Sequence, residues 1–183
     1  LRRITIDTTA PILTITTPAN NTNSTNINLD VNYTRSDALT LVRACWYSND
    51  SMSKNTTLAS CENVTSIVWV EGKHNVSIWA NDSVGNTARK RVSFTIRSKC
   101  QTLSTAHSTY SLNYDVNTTG LCFNITAVNV TLDCKGKTIN YSSAGTVGYG
   151  VYSRKNWTTI KNCYIKEGKT SGNSKYAIYL VKA

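Results

Sequence analysis

The strongest restriction on the fold of this chain is the alternation of apolar and polar residues in short stretches. Such stretches occur at 13–15 (Leu-Thr-Ile), 76–80 (Val-Ser-Ile-Trp-Ala) and 92–96 (Val-Ser-Phe-Thr-Ile). A period of two places successive side chains on opposite faces of a strand, so each stretch predicts a half-buried β-strand. β-Branched residues outnumber the strong helix formers, and no helical pattern stands out. The sequence therefore predicts an all-β protein.

Six cysteines indicate the compartment in which the chain folds. They lack the CxxC spacing of a zinc site or a thioredoxin-like motif, and only two histidines could assist a metal. We therefore expect three disulfides and an oxidising compartment, hence a secreted or cell-surface protein. Six buried thiols are the alternative. The cysteines are Cys45, Cys61, Cys100, Cys122, Cys134 and Cys163.

Thirteen asparagines begin an N-x-[ST] acceptor sequence for N-glycosylation, whereas chance would give about five. N-linked glycans are therefore expected, because a glycan coat keeps a strand-rich surface soluble and masks its edges. The alternative is that many of these residues are merely turn asparagines and strand threonines. No other cofactor is expected. The acceptors are Asn20, Asn23, Asn32, Asn49, Asn55, Asn63, Asn75, Asn81, Asn117, Asn124, Asn129, Asn140 and Asn156.

A net charge of +10 with a pI near 9.4 would suit an anionic partner such as acidic polysaccharide, a membrane surface or nucleic acid. The basic residues are scattered, however, with small clusters only at 2–3, 89–91 and 154–155. A solvated surface is the favoured interpretation. We expect no nucleic-acid partner, because no such module is recognisable, and no membrane span, because no apolar run is long enough. If the protein is secreted, its targeting segment has been cleaved or lies outside this sequence.

The pattern changes near residues 97–100, and the chain before this boundary predicts an antiparallel sandwich. Besides the alternating stretches, Ile27, Leu29 and Val31 predict one inward face, Val42, Ala44 and Trp46 another, and residues 67–70 a further strand. Residues 82–86 predict a hairpin turn in which Gly85 and Asn86 tolerate positive φ. Cys45 and Cys61 close a loop of about sixteen residues, a constraint worth roughly 3 kcal/mol.

Two motifs in this part resemble the immunoglobulin-like domains of bacterial and archaeal surface proteins. The first is D-T-T-A-P followed by I-L-T-I-T-T-P (7–18), and the second is G-x-H-x-V-x-I-x-A-x-D-x-x-G-N (72–86). The resemblance covers residues 8–98 and implies an immunoglobulin-like β-sandwich, in an archaeal cell-surface protein. In such arrays the closing strand of one domain runs into D-T-T-A-P of the next. Residues 1–7 are therefore expected to be the closing strand of a preceding domain or a strand donated to another copy.

From residue 99 a repeat of roughly 26–28 residues predicts a solenoid. Residues 122–134 are echoed by 149–163, with a third start at 176–180. The segment N-V-T-L-D-C-K-G-K-T-I (129–139) resembles the N-terminal cap and first turns of right-handed parallel β-helices of the pectate-lyase-like class. That resemblance implies Cys100–Cys122 and Cys134–Cys163 disulfides in residues 99–183. A second sandwich is the alternative. Leu132, Ile139, Val151, Ile160, Ile165 and Ile178 are expected to point inward.

The residues of acid–base and metal chemistry do not cluster in the sequence, so we expect no catalytic residues, no metal site and no enzyme. After residue 98 the acids are Asp115, Asp133 and Glu167, far apart in the repeat. His74 and His107 are expected on the surface, with no nucleophile context. Asp82 either orders its own turn or joins Asp50 or Asp7 around Ca²⁺, and the turn role is favoured. Trp79, Trp157 and several tyrosines are expected to face outward.

The features that remain are architectural, and they favour a structural component of an extracellular surface assembly such as a filament, stalk or surface layer. Its partners would be copies of itself or further domains of the same chain, and Leu1–Ile6 would be the strand donated to a neighbour. The alternative is an adhesin-like module that holds carbohydrate on a flat β-helix face. A polysaccharide-degrading β-helix enzyme is a distant third.

Overall fold

The computed structural model describes residues 6–52, 54–169 and 175–181, and this part of the chain is all-β. It contains seventeen described strands, a 3₁₀ turn at Ala59–Cys61, and two compact units, Leu1–Ile96 and Arg97–Ala183. The boundary between the two units, after Ile96, lies beside residues 97–100, where the sequence pattern changes. The strands are β1 Ile12–Thr17, β2 Thr22–Ser24, β3 Asn32–Ser36, β4 Val42–Asn49, β5 Thr56–Leu58, β6 Gly72–Asp82, β7 Thr87–Ile96, β8 Gln101–Leu103, β9 Thr109–Ser111, β10 Val116–Asn117, β11 Phe123–Ile125, β12 Thr131–Asp133, β13 Thr138–Tyr141, β14 Gly148–Ser153, β15 Thr159–Lys161, β16 Tyr164–Glu167 and β17 Lys175–Leu180.

The first unit consists of two sheets that share one core. Strands β1 and β3 form an antiparallel pair, and the larger sheet has the order β2-β7-β6-β4-β5. Its pairs are antiparallel except for β2 and β7, which run parallel. Leu13 and Tyr33 of the smaller sheet are buried in the same cluster as Val76, Ile78 and Phe94 of the larger one. The alternation in the sequence therefore corresponds to one face of each sheet.

Two of the predicted strands in this unit are wrong. Residues 27–31 alternate, yet only Val31 forms a bridge, to Val64, and the residues before it lie in turns and loops. Residues 67–70 also form no strand, and here the indole N–H of Trp69 donates to the carbonyl of Leu29. Residues 27–31 and 67–70 therefore make single hydrogen bonds to each other and no regular ladder. An alternating pattern predicts a strand only where a second extended segment lies beside it, and neither segment has such a partner.

A β-bulge reverses the predicted phase of β4. The register between β4 and β6 shifts between Val42 and Ala44. As a result Cys45 is completely buried, while Trp46, predicted to point inward with Val42 and Ala44, is only half-buried. In β6 the prediction that Trp79 faces outward is confirmed, since it is only half-buried while its neighbours Ile78 and Ala80 are completely buried.

The second unit contains three parallel sheets, with the orders β17-β14-β11-β8, β15-β12-β9 and β10-β13-β16. Neighbouring strands of one sheet are about one repeat apart in the sequence. Phe123 pairs with Val151, 28 residues further on, and Val151 pairs with Ile178 after another 27 residues. The chain therefore visits the three sheets in turn and then returns to the first.

One core lies between these three sheets. Leu132, Ile139 and Val151 are fully buried as predicted, and Ile160 and Ile165 pack partly against the core. Ile178 is the exception, because 42 % of it is exposed. Its strand β17 pairs with β14 on one side, and no described strand covers the other.

The structure contains the three predicted disulfides. They join Cys45 to Cys61, Cys100 to Cys122 and Cys134 to Cys163, and no cysteine is free. The first ties β4 to the 3₁₀ turn, and the other two tie successive turns of the second unit. Disulfides are typical of secreted and cell-surface proteins. Within the described residues, no helix is long and apolar enough to cross a membrane.

Candidate functional site

Asp82 organises the turn between β6 and β7. Its Oδ1 accepts the backbone N–H groups of Val84, Gly85 and Asn86 at 2.9, 2.7 and 2.9 Å, and its Oδ2 accepts the Asn86 side-chain amide at 2.8 Å. Gly85 has a φ of +100°, which glycine adopts without strain, whereas Asn86 does not have positive φ. The structure therefore confirms the turn role expected for Asp82.

Two carboxylates of this region stay charged at neutral pH. Burial raises the pKa of Asp82, but the hydrogen bonds from Asn86, Val84 and Gly85 together outweigh it and lower the pKa below the usual value. The N–H groups of Thr40 and Leu39 lower the pKa of Asp37. Hydrogen bonds to a carboxylate stabilise its ionised form, so both groups carry negative charge.

Asp7, Asp37 and Asp82 bring one carboxylate oxygen each within 4.8 Å of the others. Asp7 Oδ2 also accepts the Thr40 hydroxyl at 2.8 Å. Carboxylate oxygens are the ligands that Ca²⁺ prefers, so the three form a candidate cation site. Of the two partners considered for Asp82 in the sequence, Asp7 is here and Asp50 is not. Asp37 was not predicted, because nothing in its local sequence indicates that its loop reaches the other two.

Asp50 bonds instead to His74, which the sequence wrongly placed on the surface. His74 is only 4 % exposed. Its Nδ1 lies 3.0 and 3.2 Å from the Asp50 carboxylate oxygens, and its Nε2 lies 2.8 Å from the carbonyl of Val70. A carboxylate and a carbonyl only accept hydrogen bonds, so each of these two contacts is a hydrogen bond when the ring nitrogen that makes it carries a proton. Its ring also packs against Trp69 and Phe94.

The acids of the second unit each hold local structure rather than meeting in one place. Asp133 accepts the N–H of Lys135 and the amide of Asn162, and lies 3.6 Å from the ammonium of Lys161. The Asn162 bond is the largest cause of its lowered pKa. Of the other two, Asp115 accepts the N–H of Thr138 at 2.8 Å and Glu167 pairs with Lys175 at 2.9 Å. Among the described residues, no metal-ligand group includes any of these three acids.

Aromatic side chains form two clusters on outer faces. In the first unit Trp46 and Trp79 lie parallel with centroids 6.3 Å apart, and the Arg89 guanidinium lies 4.9 Å from the Trp79 ring. In the second unit four tyrosines of β14 and β17 lie side by side. Trp157 is 74 % exposed, as expected. His107, also expected on the surface, is exposed and bonds Asn129.

All thirteen glycan acceptors lie among the described residues, and none is buried. In two of the acceptor sequences the serine is completely buried. Ser77, two residues after Asn75, and Ser142, two residues after Asn140, are both 0 % exposed. The half-buried acceptors are Asn32, Asn49, Asn75, Asn81, Asn124 and Asn140, and the exposed ones are Asn20, Asn23, Asn55, Asn63, Asn117, Asn129 and Asn156.

The chain is thus a two-unit, disulfide-bonded all-β protein with surface acceptor asparagines. No family model matches it, and no curated protein matches it. A solved structure of Clostridium thermocellum CbhA fibronectin(III)-like modules is similar, at 18 % identity and a TM-score of 0.35. The match covers 47 % of this chain and 46 % of that chain, so the chain spans less than half its length. A likeness this weak does not bear on the fold or the function of this chain.

Proposed function

We propose that this chain is a glycosylated structural module of an extracellular surface assembly and has no catalytic activity. The observation that carries the proposal is that none of the thirteen acceptor asparagines is buried, and seven of them are exposed, on two disulfide-bonded units. Disulfides stabilise a protein outside the cell, and surface glycans keep it soluble there. In this proposal the polar groups of the turns, including Asp82 and Asp133, stabilise the backbone and take no part in chemistry.

The proposal assigns a fold to each unit. The first is an immunoglobulin-like β-sandwich, supported by its two sheets around one core and by the Asp82 turn. The second is a short right-handed parallel β-helix, supported by parallel pairing at intervals of 28 and 27 residues. Both are rigid spacers, because each strand is fixed by neighbours and by a shared core.

The partners in this proposal are further copies or further domains of the same chain. Strand β17 offers an edge for such pairing, with Ile178 and Leu180 exposed by 42 % and 57 %. A strand edge with exposed apolar side chains is a template for another strand. Of the segment expected to be donated, Leu1–Ile6, residues 1–5 lie outside the described residues, and Ile6 is 77 % exposed.

Electron microscopy of the native material, combined with intact-mass measurement of the same sample, tests this function. We expect regular fibres or layers and a mass increased by hexose-type sugars. A soluble monomer without added mass would overturn both the assembly and the glycan coat.

A carbohydrate-binding adhesin is the second candidate, favoured by the tyrosines of β14 and β17. Aromatic rings on a flat parallel sheet can stack on sugar rings. Glycan-array binding by the whole chain, compared with a Y149A/Y176A variant, separates this candidate from the spacer. Binding that the double variant loses would favour the adhesin, whereas no binding by either protein would favour the spacer.

A further inference from the structure

Four tyrosines on the outer face of the second unit form a stacked group, which we call the tyrosine platform. Tyr149 and Tyr152 of β14 pair in register with Tyr176 and Tyr179 of β17. Neighbouring rings have centroids 5.0 to 6.0 Å apart and planes within 26° of parallel. Such offset stacking is attractive and holds each ring in place. Tyr176 is 50 % exposed and Tyr179 is 37 % exposed, so the platform reaches solvent.

Asn124 lies next to the platform in the neighbouring strand β11. It pairs in register with Tyr152, which itself pairs with Tyr179. Asn124 and Tyr152 are each half-buried between two buried residues of their own strands, so both side chains point to the outer face. Adjacent strands are about 4.8 Å apart. A group attached to the Asn124 amide is therefore within reach of the Tyr152 ring.

Asn124 is also available for modification. It begins the acceptor Asn124-Ile125-Thr126, and Thr126 is exposed. The Asn124 amide makes no side-chain hydrogen bond to another described residue. In Asn63 and Asn75, by contrast, the side-chain oxygen accepts a hydrogen bond from the protein. Attachment of a sugar at Asn124 therefore breaks no contact of this kind.

We propose that Asn124 carries an N-glycan whose first sugar ring stacks on Tyr152 and continues the row formed by Tyr179 and Tyr152. This inference rests on the glycosylation in the proposed function. A pyranose ring has a face of C–H groups that packs on an aromatic face, and its hydroxyl groups remain in water. Because the other tyrosines already hold Tyr152, the sugar orders little that was free before.

Arg154 completes the surroundings of this sugar. Its guanidinium lies 5.8 Å from the Tyr152 ring, near the outer limit of a cation–π contact, and the side chain is exposed. The contact is therefore weak, and the N–H groups of Arg154 can donate to sugar hydroxyls instead.

Attachment is a group transfer from a lipid-linked pyrophosphate sugar. A bond forms between Nδ2 of Asn124 and the anomeric carbon of the sugar, and the bond between that carbon and the pyrophosphate oxygen breaks. The lipid pyrophosphate leaves with the electron pair, and the amide nitrogen loses one proton.

The test uses the whole chain secreted from a cell line that attaches N-acetylglucosamine-initiated glycans, trimmed to one sugar. We expect mass spectrometry of peptides to find Asn124 occupied, and NMR to find the C–H protons of its sugar shifted upfield by the Tyr152 ring. We expect N124Q to lower the thermal midpoint by roughly 2–4 °C. The matched control N117Q removes the exposed Asn117 acceptor and should change the midpoint by less than about 1 °C.

Variants of the ring keep the inference testable if one of them fails to fold. Y152F retains the aromatic face and should keep the upfield shift, whereas Y152L should lose it while Asn124 stays occupied. The N124Q and N117Q variants are also produced in the bacterial periplasm, where no sugar is attached. Their thermal midpoints there give the effect of each substitution itself on stability.

Two failures are distinguishable. If other acceptors carry sugar but Asn124 does not, or if its sugar protons are unshifted and N124Q costs no more than N117Q, the stacking is wrong and the glycoprotein proposal stands. If all thirteen acceptors are unmodified in the native material, the proposal that the chain is a glycoprotein is itself wrong.

Discussion

Asp82 and His74 are ionisable residues that the first unit buries almost completely, with 1 % and 4 % of each exposed. Burying a polar or charged group is costly unless hydrogen bonds replace the lost water. Asp82 accepts four such bonds within its own turn, and His74 has a partner for each ring nitrogen. Removing Asp82 therefore leaves the N–H groups of its turn without their acceptor, and removing His74 leaves a cavity beside Trp69 and Phe94.

Replacing Asp82 with Asn should lower the thermal midpoint by several degrees, because the amide is a weaker acceptor for the N–H groups of its turn. The pKa of Asp82 is lower in the folded protein than its usual value, which is about 3.9. Its stabilising contribution is therefore present above that value and lost as the pH falls through the folded pKa. Urea unfolding of wild type and D82N should show a difference at pH 7 that shrinks below about pH 4.

The exposed Asp30 gives the control for this pH dependence. D30N should change stability by less than about 0.5 kcal/mol. A difference between wild type and D82N that stays constant down to pH 2 would show that the charge of Asp82 does not stabilise the turn.

Replacing His74 with Gln should destabilise the first unit by about 1–3 kcal/mol, because one amide cannot donate to both Asp50 and Val70. The free energy of unfolding in urea measures this loss. His107 is the exposed counterpart, and H107Q should stay within about 0.5 kcal/mol of wild type. Equal losses for the two variants would contradict a stabilising role for the His74 contacts with Asp50 and Val70.

At the scale of the elements, glycines allow the strands of the second unit to stack closely. A Cβ on Gly150 in β14 would meet Ile165 of β16 and lie 2.5 Å from the carbonyl oxygen of Ala177 in β17. Gly120 offers a contrast, because a Cβ there would have its nearest neighbour at 3.7 Å, an ordinary contact. Neither glycine has positive φ, so the two differ in space and not in backbone strain.

Gly150→Ala should therefore destabilise the second unit by about 1–3 kcal/mol, the usual range for an overpacked core. Gly120→Ala should be nearly neutral. Thermal unfolding measures the stability of both variants, and hydrogen exchange of the β14 and β17 amides measures the local effect. If the amides of these strands exchange as slowly in G150A as in wild type, the close stacking of β14 on its neighbours is wrong.

At the scale of the whole molecule, positive charge is concentrated in one part of the chain. Residues 97–183 contain eleven Lys and Arg and three Asp and Glu, a net charge of +8, whereas residues 1–96 contain nine and seven, a net charge of +2. Copies of such a chain repel one another in low salt. Any self-assembly must overcome this repulsion.

If copies assemble through apolar strand edges, added salt should promote assembly. The screening length falls from about 30 Å at 0.01 M to about 8 Å at 0.15 M ionic strength, which removes most of the repulsion. Sedimentation velocity at these two salt concentrations measures the assembled fraction. K135Q/K137Q, which removes two positive charges, should assemble at lower salt. Dissociation by salt would instead show that ion pairs hold the copies together.

Several features followed from the residues alone because they depend on local chemistry. The alternating stretches became β1, β6 and β7, and the Asp82 turn formed from Asp, Gly and Asn within five residues. The six cysteines were correctly expected to form disulfides, and the acceptor asparagines were read directly from the sequence. A local pattern is sufficient to predict a structure whose interacting groups are neighbours in the chain, or a property that follows from the residue type itself.

Burial, phase and the meeting of distant residues were decided only in the folded chain. Residues 27–31 alternate but have no straight partner strand, and one bulge turned Trp46 outward. His74 became buried because Asp50 and Val70 provide its partners, and Asp37 meets Asp7, 30 residues earlier in the chain, and Asp82, 45 residues later. Alternation specifies that two faces exist. Which face is covered depends on the segments that pack against it, and these are far away in the sequence.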